Sequence, residues 1–159
     1  MKVLAIDPGY DRLGVAVLTN DGGTDVLVFS TCVTTSKNTD FADRLVHIGT
    51  ALTELMETHR PDCVALEELF FSKNVKTGIA VAEARGVILF LARQAGYPIY
   101  EFSPSTIKLA TTGYGSSDKT AVIAMVKRLV GNVPKTALDD EYDAIAVGVT
   151  CLAQHGRGR

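Results

Sequence analysis

The sequence predicts an α/β fold: a mixed five-stranded sheet in the order 3-2-1-4-5, its first three strands antiparallel, with helices on both faces. Three observations predict it. Short apolar runs at 2–7, 14–18 and 25–33 are separated by turn residues, as in a meander. Beyond residue 39 the apolar spacing switches to helical period, and helix and strand then alternate. Finally, strands 4 and 5 each follow a helix, which is the crossover a parallel strand needs.

The first strand, Lys2 to Asp7, is closed by Pro8-Gly9. Because Asp7 interrupts it so early, the N-terminus reads as a strand and not as a signal peptide. Asn20-Asp21-Gly22-Gly23 marks a hairpin between strands 2 and 3. Thr39 or Asp40 caps a helix running to about His59, with Leu45, Ile48, Leu52, Leu55 and Met56 on one face. Arg60-Pro61-Asp62 breaks it before the fourth strand, 63–67. A polar loop over 72–77 precedes a long helix from about Gly78 to Ala95, stopped by Gly96 and Pro98. The fifth strand is 99–102, and Ser103-Pro104 starts a short helix to Ala110. Ser116 or Ser117 caps a helix to Val130, and a last helix runs from about Asp140 to Gln154. A single domain over 1–155 is expected, with 156–159 a frayed tail.

Composition narrows the class without naming a function. With 47% hydrophobic and 21% charged residues among 159, the chain fits a soluble globular domain. No run reaches the ~18 apolar residues of a membrane span. Cys32, Cys63 and Cys151 are odd in number and widely spaced, so buried free thiols are expected and, with them, a cytoplasmic location. A net charge of −2 carries no signature of nucleic-acid binding, although carboxylates gathered in a site can mask a local basic surface.

Four acids stand out against this background. Asp7 and Glu67 each end an apolar strand, and Asp140 and Asp143 open an apolar helix three residues apart. Each has an ordinary reading: a turn, a solvated strand end, a helix cap. Together they point to one site. In the order 3-2-1-4-5 the ends of strands 1 and 4 are adjacent, and residues at i and i+3 share a helix face. Converging carboxylates repel, and two hard divalent cations relieve that repulsion in phosphodiester-cleaving enzymes.

Other motifs flank these acids. Gly113 to Thr120 nearly matches a phosphate-binding loop, but Asp118 stands where its second glycine belongs, so a nucleotide loop is not expected. Lys119, in the first turn of a helix, opposes the dipole preference and suits an external anion, with Lys108 beside the same glycine-rich turn. Phe70-Phe71-Ser72-Lys73-Asn74 follows Glu67 with aromatics, a cation and an amide, and one of the phenylalanines can stack on an unpaired base. The 78–95 helix is apolar over a wide arc (Ile79, Val81, Val87, Ile88, Phe90), which suits either central burial or, as favoured here, a symmetric dimer interface.

These motifs, in this order, resemble the RuvC family of Holliday junction resolvases. The matching segments are 5–9, 65–70 with Lys73-Asn74, Glu83-Ala84-Arg85-Gly86, 113–115 with Lys119, and 140–146. The resemblance implies a ribonuclease H-like fold, a homodimer, and Mg²⁺ dependence (or Mn²⁺) with two ions per site. It also implies paired nicks across four-way junction DNA and a branch-migration motor as partner. By position it places the catalytic, metal-holding acids on Asp7, Glu67, Asp140 and Asp143. It puts the DNA contacts on Phe70, Lys73, Lys108 and Lys119. Asp139 and Glu141 remain open as helpers of Asp140. Hybrid nucleases and non-catalytic junction binders stay open as alternative functions, whereas actin-like ATPases need a far longer chain.

Overall fold

A computed structural model describes residues 1–69 and 75–156. Its elements are β1 (Lys2–Asp7), β2 (Arg12–Asp21), β3 (Thr24–Thr34), α1 (Phe41–His59), β4 (Cys63–Glu67), α2 (Val75–Gln94), β5 (Ile99–Phe102), α3 (Pro104–Thr112), α4 (Lys119–Leu129), β6 (Val130–Gly131) and α5 (Asp139–His155). The sheet order is β5-β4-β1-β2-β3-β6. The expected order of the first five strands holds, with β1, β2 and β3 antiparallel and β4 and β5 parallel to β1.

The expectation of five strands is corrected to six. Val130–Gly131 pairs in parallel with Asp25 and Val26 at the sheet edge. Two residues carry no alternation that a periodicity argument can read, so this strand exists only through its tertiary pairing. Two further boundaries move. The 72–77 loop overlaps α2, which already begins at Val75. The cap of α4 is Asp118, whose side chain accepts from Ala121 N–H at 2.8 Å, and not Ser116 or Ser117. Ser117 is engaged elsewhere, its hydroxyl 2.7 Å from that of Thr112.

Side-chain alternation divides the core into two layers. Val3, Ala5, Ala16, Leu18, Cys63 and Ala65 face α5 and its neighbours α3 and α4. Leu4, Ile6, Val15, Val17, Val64 and Leu66 face α1 and α2 through Ile48, Leu52, Ala84 and Ile88. α2 is therefore not centrally buried: Ala84, Ile88 and Ala92 turn inward, while Ile79 and Phe90 are exposed. The three thiols are free, with Cys63 and Cys151 buried and 3.9 Å apart and Cys32 half-buried. Among the described residues, no helix is long and apolar enough to cross a membrane.

Candidate active site

The alternation that builds the core also aims the acids. Continuing the Val3–Ala5 face of β1 by one step gives Asp7, and continuing the Cys63–Ala65 face of β4 gives Glu67. Both carboxylates therefore point to the side covered by α5. The two strands pair in parallel through Ile6 and Leu66, so Asp7 and Glu67 sit side by side one residue further on.

Glycine brings the helix to them. Gly14 lies opposite Asp7 across the β1–β2 ladder, and a Cβ built there would stand 2.0 Å from the Asp140 carbonyl oxygen. Two turns along α5, a Cβ on Gly148 would meet a Leu18 methyl at 2.4 Å and the Ala5 Cβ at 3.2 Å. With both side chains absent, α5 lies directly on β1 and β2 and its first turn reaches the strand ends.

That first turn sorts its four acids by task. Glu141 accepts from the Leu138 N–H at 2.9 Å, which satisfies a helix-end donor, and from the Ser30 hydroxyl at 2.5 Å. Asp139 is exposed and lies 3.5 Å from Lys119. The cap-like reading of Asp140 and Asp143 is thus taken over by Glu141. Both are left to face the site: Asp140 pairs with Arg12, and Asp143 accepts from Lys119 Nζ at 2.9 Å.

The electrostatics show a crowded site. Burial raises the Asp7 carboxyl to about 8, with Asp143, Glu67 and Asp140 adding to the shift and Lys119 opposing it. Glu67 is raised by burial and by Asp143, against the pull of Lys108. Asp143 is raised by burial despite its hydrogen bond from Lys119. Burial lowers Lys119, but the hydrogen bond and charges of Asp143 and Asp139 outweigh it and leave the ammonium firmly protonated. Lys108 and Lys119 share with Glu67 and Asp143 the lining of one cavity of about 310 Å³.

The site also contains residues that the sequence alone did not single out. Arg12 and Cys32 lie on the α5 side of β2 and β3, where the guanidinium reaches Asp140 and the thiol lies 3.9 Å from the same carboxylate. Arg44 braces the turn after Asp7. It pairs with Asp11, donates to the Tyr10 carbonyl at 3.0 Å and to Thr35 Oγ1 at 2.8 Å, and stacks over the Tyr10 ring. Hairpin register offered a signal for Gly14 and Arg12, since both alternate onto the Asp7 face. Phe70 and Lys73 lie outside the described residues.

A ribonuclease H-like sheet with acids at this edge matches a known group. The family model for crossover junction endodeoxyribonuclease RuvC covers residues 3–151. The chain belongs to the RuvC family. The crossover junction endodeoxyribonuclease RuvC of Thermosipho melanesiensis is 44% identical over 159 residues, with 99% of each chain covered. The RuvC of Caldicellulosiruptor saccharolyticus is 42% identical, covering 94% of this chain and 90% of the relative. Among solved structures, Thermus thermophilus RuvC superposes with a TM-score of 0.86 at 31% identity, over 98% of this chain and 97% of that one. The same Thermus protein in complex with a Holliday junction substrate gives 0.90 at 31% identity, over 98% and 96%.

Proposed function

We propose that this chain is an endodeoxyribonuclease that resolves four-way DNA junctions by paired nicks during recombination and repair, through two-metal-ion phosphodiester hydrolysis. It acts as one catalytic domain over 1–155. The observation that carries the reading is the convergence of Asp7, Glu67, Asp140 and Asp143 on one sheet edge, with Asp7 pushed up to about 8. Family membership and the junction-bound Thermus relative support the choice of substrate.

The donor set fits a hard cation in its chemistry. All four groups are carboxylates, and the repulsion that raises Asp7, Glu67 and Asp143 is what a divalent ion relieves. Among the described residues, no three His, Cys, Asp or Glu side chains are yet gathered as a metal-binding group. Arg12 and Lys119 hold Asp140 and Asp143, so a metal would compete with them for these carboxylates. Asp7, Glu67, Asp140 and Asp143 would hold two Mg²⁺ ions, with Mn²⁺ as a substitute. When bound, such ions supply Lewis acidity toward the attacking water and the leaving oxygen.

The remaining roles fall to the chain's own side chains. Lys119 and Lys108, across the cavity from Glu67, hold the scissile phosphate. Lys73 contacts the backbone and Phe70 stacks on an opened base. Two copies nick opposed strands, which requires a homodimer. Its interface lies along a groove of about 740 Å³ between α1 and α2, where Val46 and Phe90 expose apolar surface. A branch-migration motor is the expected partner, and the cytoplasm, where the chromosome lies, the expected location.

One incubation tests the activity. Purified protein is mixed with labelled four-way junction, linear duplex or RNA–DNA hybrid, in Mg²⁺ or EDTA. Symmetric Mg²⁺-dependent nicks in the junction are expected; preferential cutting of the hybrid, or no cutting at all, overturns the reading.

A further inference from the structure

We infer that Arg85 is a second phosphate-contacting residue, positioning the DNA backbone at the acidic edge from the face of the sheet opposite Lys119. The inference rests on the nuclease reading above and extends it to a residue to which no role has yet been given.

The geometry starts from α2. Arg85 follows the inward-facing Ala84 and reaches over the sheet to β5, where its Nη2 donates to Glu101 Oε2 at 2.6 Å. Glu101 alternates with Tyr100 and Phe102, which pack with the α5 layer, so it lies on the α2 side. The guanidinium thereby comes to the end of the sheet where Asp7 and Glu67 emerge. It lines a cavity of about 220 Å³ with Asp7, Pro8, Glu67, Glu68, Val81 and Pro104.

This cavity adjoins the one that holds Lys108 and Lys119, because Glu67 and Pro104 line both. The acids are thus bracketed by cations from two sides. Lysines stand on the α5 side, and a guanidinium, the one cation in its cavity's described lining, stands on the α2 side. A polynucleotide strand laid across this edge would present successive phosphates to the two cavities.

Arg85 also has donors to spare. A guanidinium carries five N–H groups. Among the described residues its ion pair is to Glu101 alone, and its Nε is buried with no hydrogen-bond partner. An orphaned buried donor is costly, and a built-in salt bridge gives no reason to retain it. A phosphate that engages the guanidinium supplies the missing acceptors, and arginine suits that geometry better than lysine.

The test separates contact from mere bracing. Replacing both members of the pair, Arg85→Met with Glu101→Met, leaves no uncompensated buried charge, so the double variant should fold. Junction binding in EDTA is titrated across a salt series for wild type, Arg85→Lys, Glu101→Gln and the double variant. The double variant should lose roughly tenfold in affinity, and its log–log salt slope should be shallower by about one. Arg85→Lys should keep the wild-type slope with partly recovered affinity, and Glu101→Gln should keep slope and affinity alike. A wild-type slope in the double variant overturns the assignment, as does an equal loss in Glu101→Gln. If wild type binds and nicks junctions, such a result removes Arg85 only; if wild type binds no DNA, both readings fall.

Discussion

The four acids come in two pairs that the fold treats differently. Asp7 and Glu67 sit at strand ends, pushed up by burial and by one another's charge, and neither has an ion pair among the described residues. Asp140 and Asp143 arrive on a helix, and each already holds a cation, Arg12 or Lys119. The strand pair therefore carries the unrelieved repulsion of the site, and the helix pair is balanced in advance. A divalent ion should matter most to Asp7, and the lysine on Asp143 should matter most to how phosphate is held.

The largest effect should come from the strand pair. Asp7→Asn should abolish nicking in Mg²⁺ while junction binding in EDTA stays close to wild type; normal nicking would break the assignment. The same substitution should stabilise the metal-free protein. The sign follows from linkage: the folded carboxyl titrates near 8, well above its ordinary value of 3.8. Between about pH 4 and 8 the unfolded chain releases a proton that the folded chain retains, so stability falls as pH rises through this window. Below it both states are protonated and the penalty vanishes. In EDTA the wild-type Tm should fall steadily from pH 5 to 8, whereas Asp7→Asn should show a flatter profile and a Tm at pH 8 higher by about 5 °C. Saturating Mg²⁺ should flatten the wild-type profile, because an ion bound to the folded state alone stabilises it. A wild-type Tm independent of pH in EDTA would remove the claimed asymmetry.

Lys119→Met probes the balanced pair. It removes both the counter-ion of Asp143 and a phosphate donor, so nicking should slow by about 10²-fold, the usual scale for one charge-stabilising donor. Junction affinity in EDTA should change far less. An equal loss in binding and nicking would mark Lys119 as a general DNA contact.

Gly14→Ala tests the joint between the pairs. Its new Cβ would stand 2.0 Å from the Asp140 carbonyl oxygen, so α5 must move away from β2. Overpacking of this kind costs about 1–3 kcal/mol, and a shift of ~1 Å in the helix acids relative to Asp7 should slow nicking noticeably. Loss of activity should exceed what the fall in Tm explains.

The same division marks what the sequence could disclose. Asp7 and Glu67 were legible because an acid at the end of an apolar run is a local anomaly. Asp140 and Asp143 were legible as a helix-face pair, and the Asn20–Gly23 turn announced its hairpin. Arg12, Gly14 and Arg85 were not, because their roles arise only when register sets β2 beside Asp7 or α2 beside β5. The α4 cap was misassigned for a similar reason. Ser116, Ser117 and Asp118 have comparable capping propensity, and the Ser117–Thr112 contact that decides between them is tertiary. Strand β6 left no local trace at all.

The smallest effect should separate the neighbouring acids of the α5 first turn. Glu141 holds the Leu138 N–H and the Ser30 hydroxyl, both structural bonds, and it faces away from the Asp7 cluster toward β3. Glu141→Ala should therefore cost about 1 kcal/mol, a Tm change of roughly 2–4 °C, with nicking nearly intact. Asp140→Asn should do the reverse, holding Tm and losing nicking, since its carboxylate raises Asp7 and takes no part in capping. The comparison is sharp because the two residues are adjacent on one helical turn, so a general disturbance of α5 would affect both alike. Equal loss of nicking in the two variants at equal Tm would mean that the turn acts as a block of charge, and the division of labour read from its hydrogen bonds would be wrong.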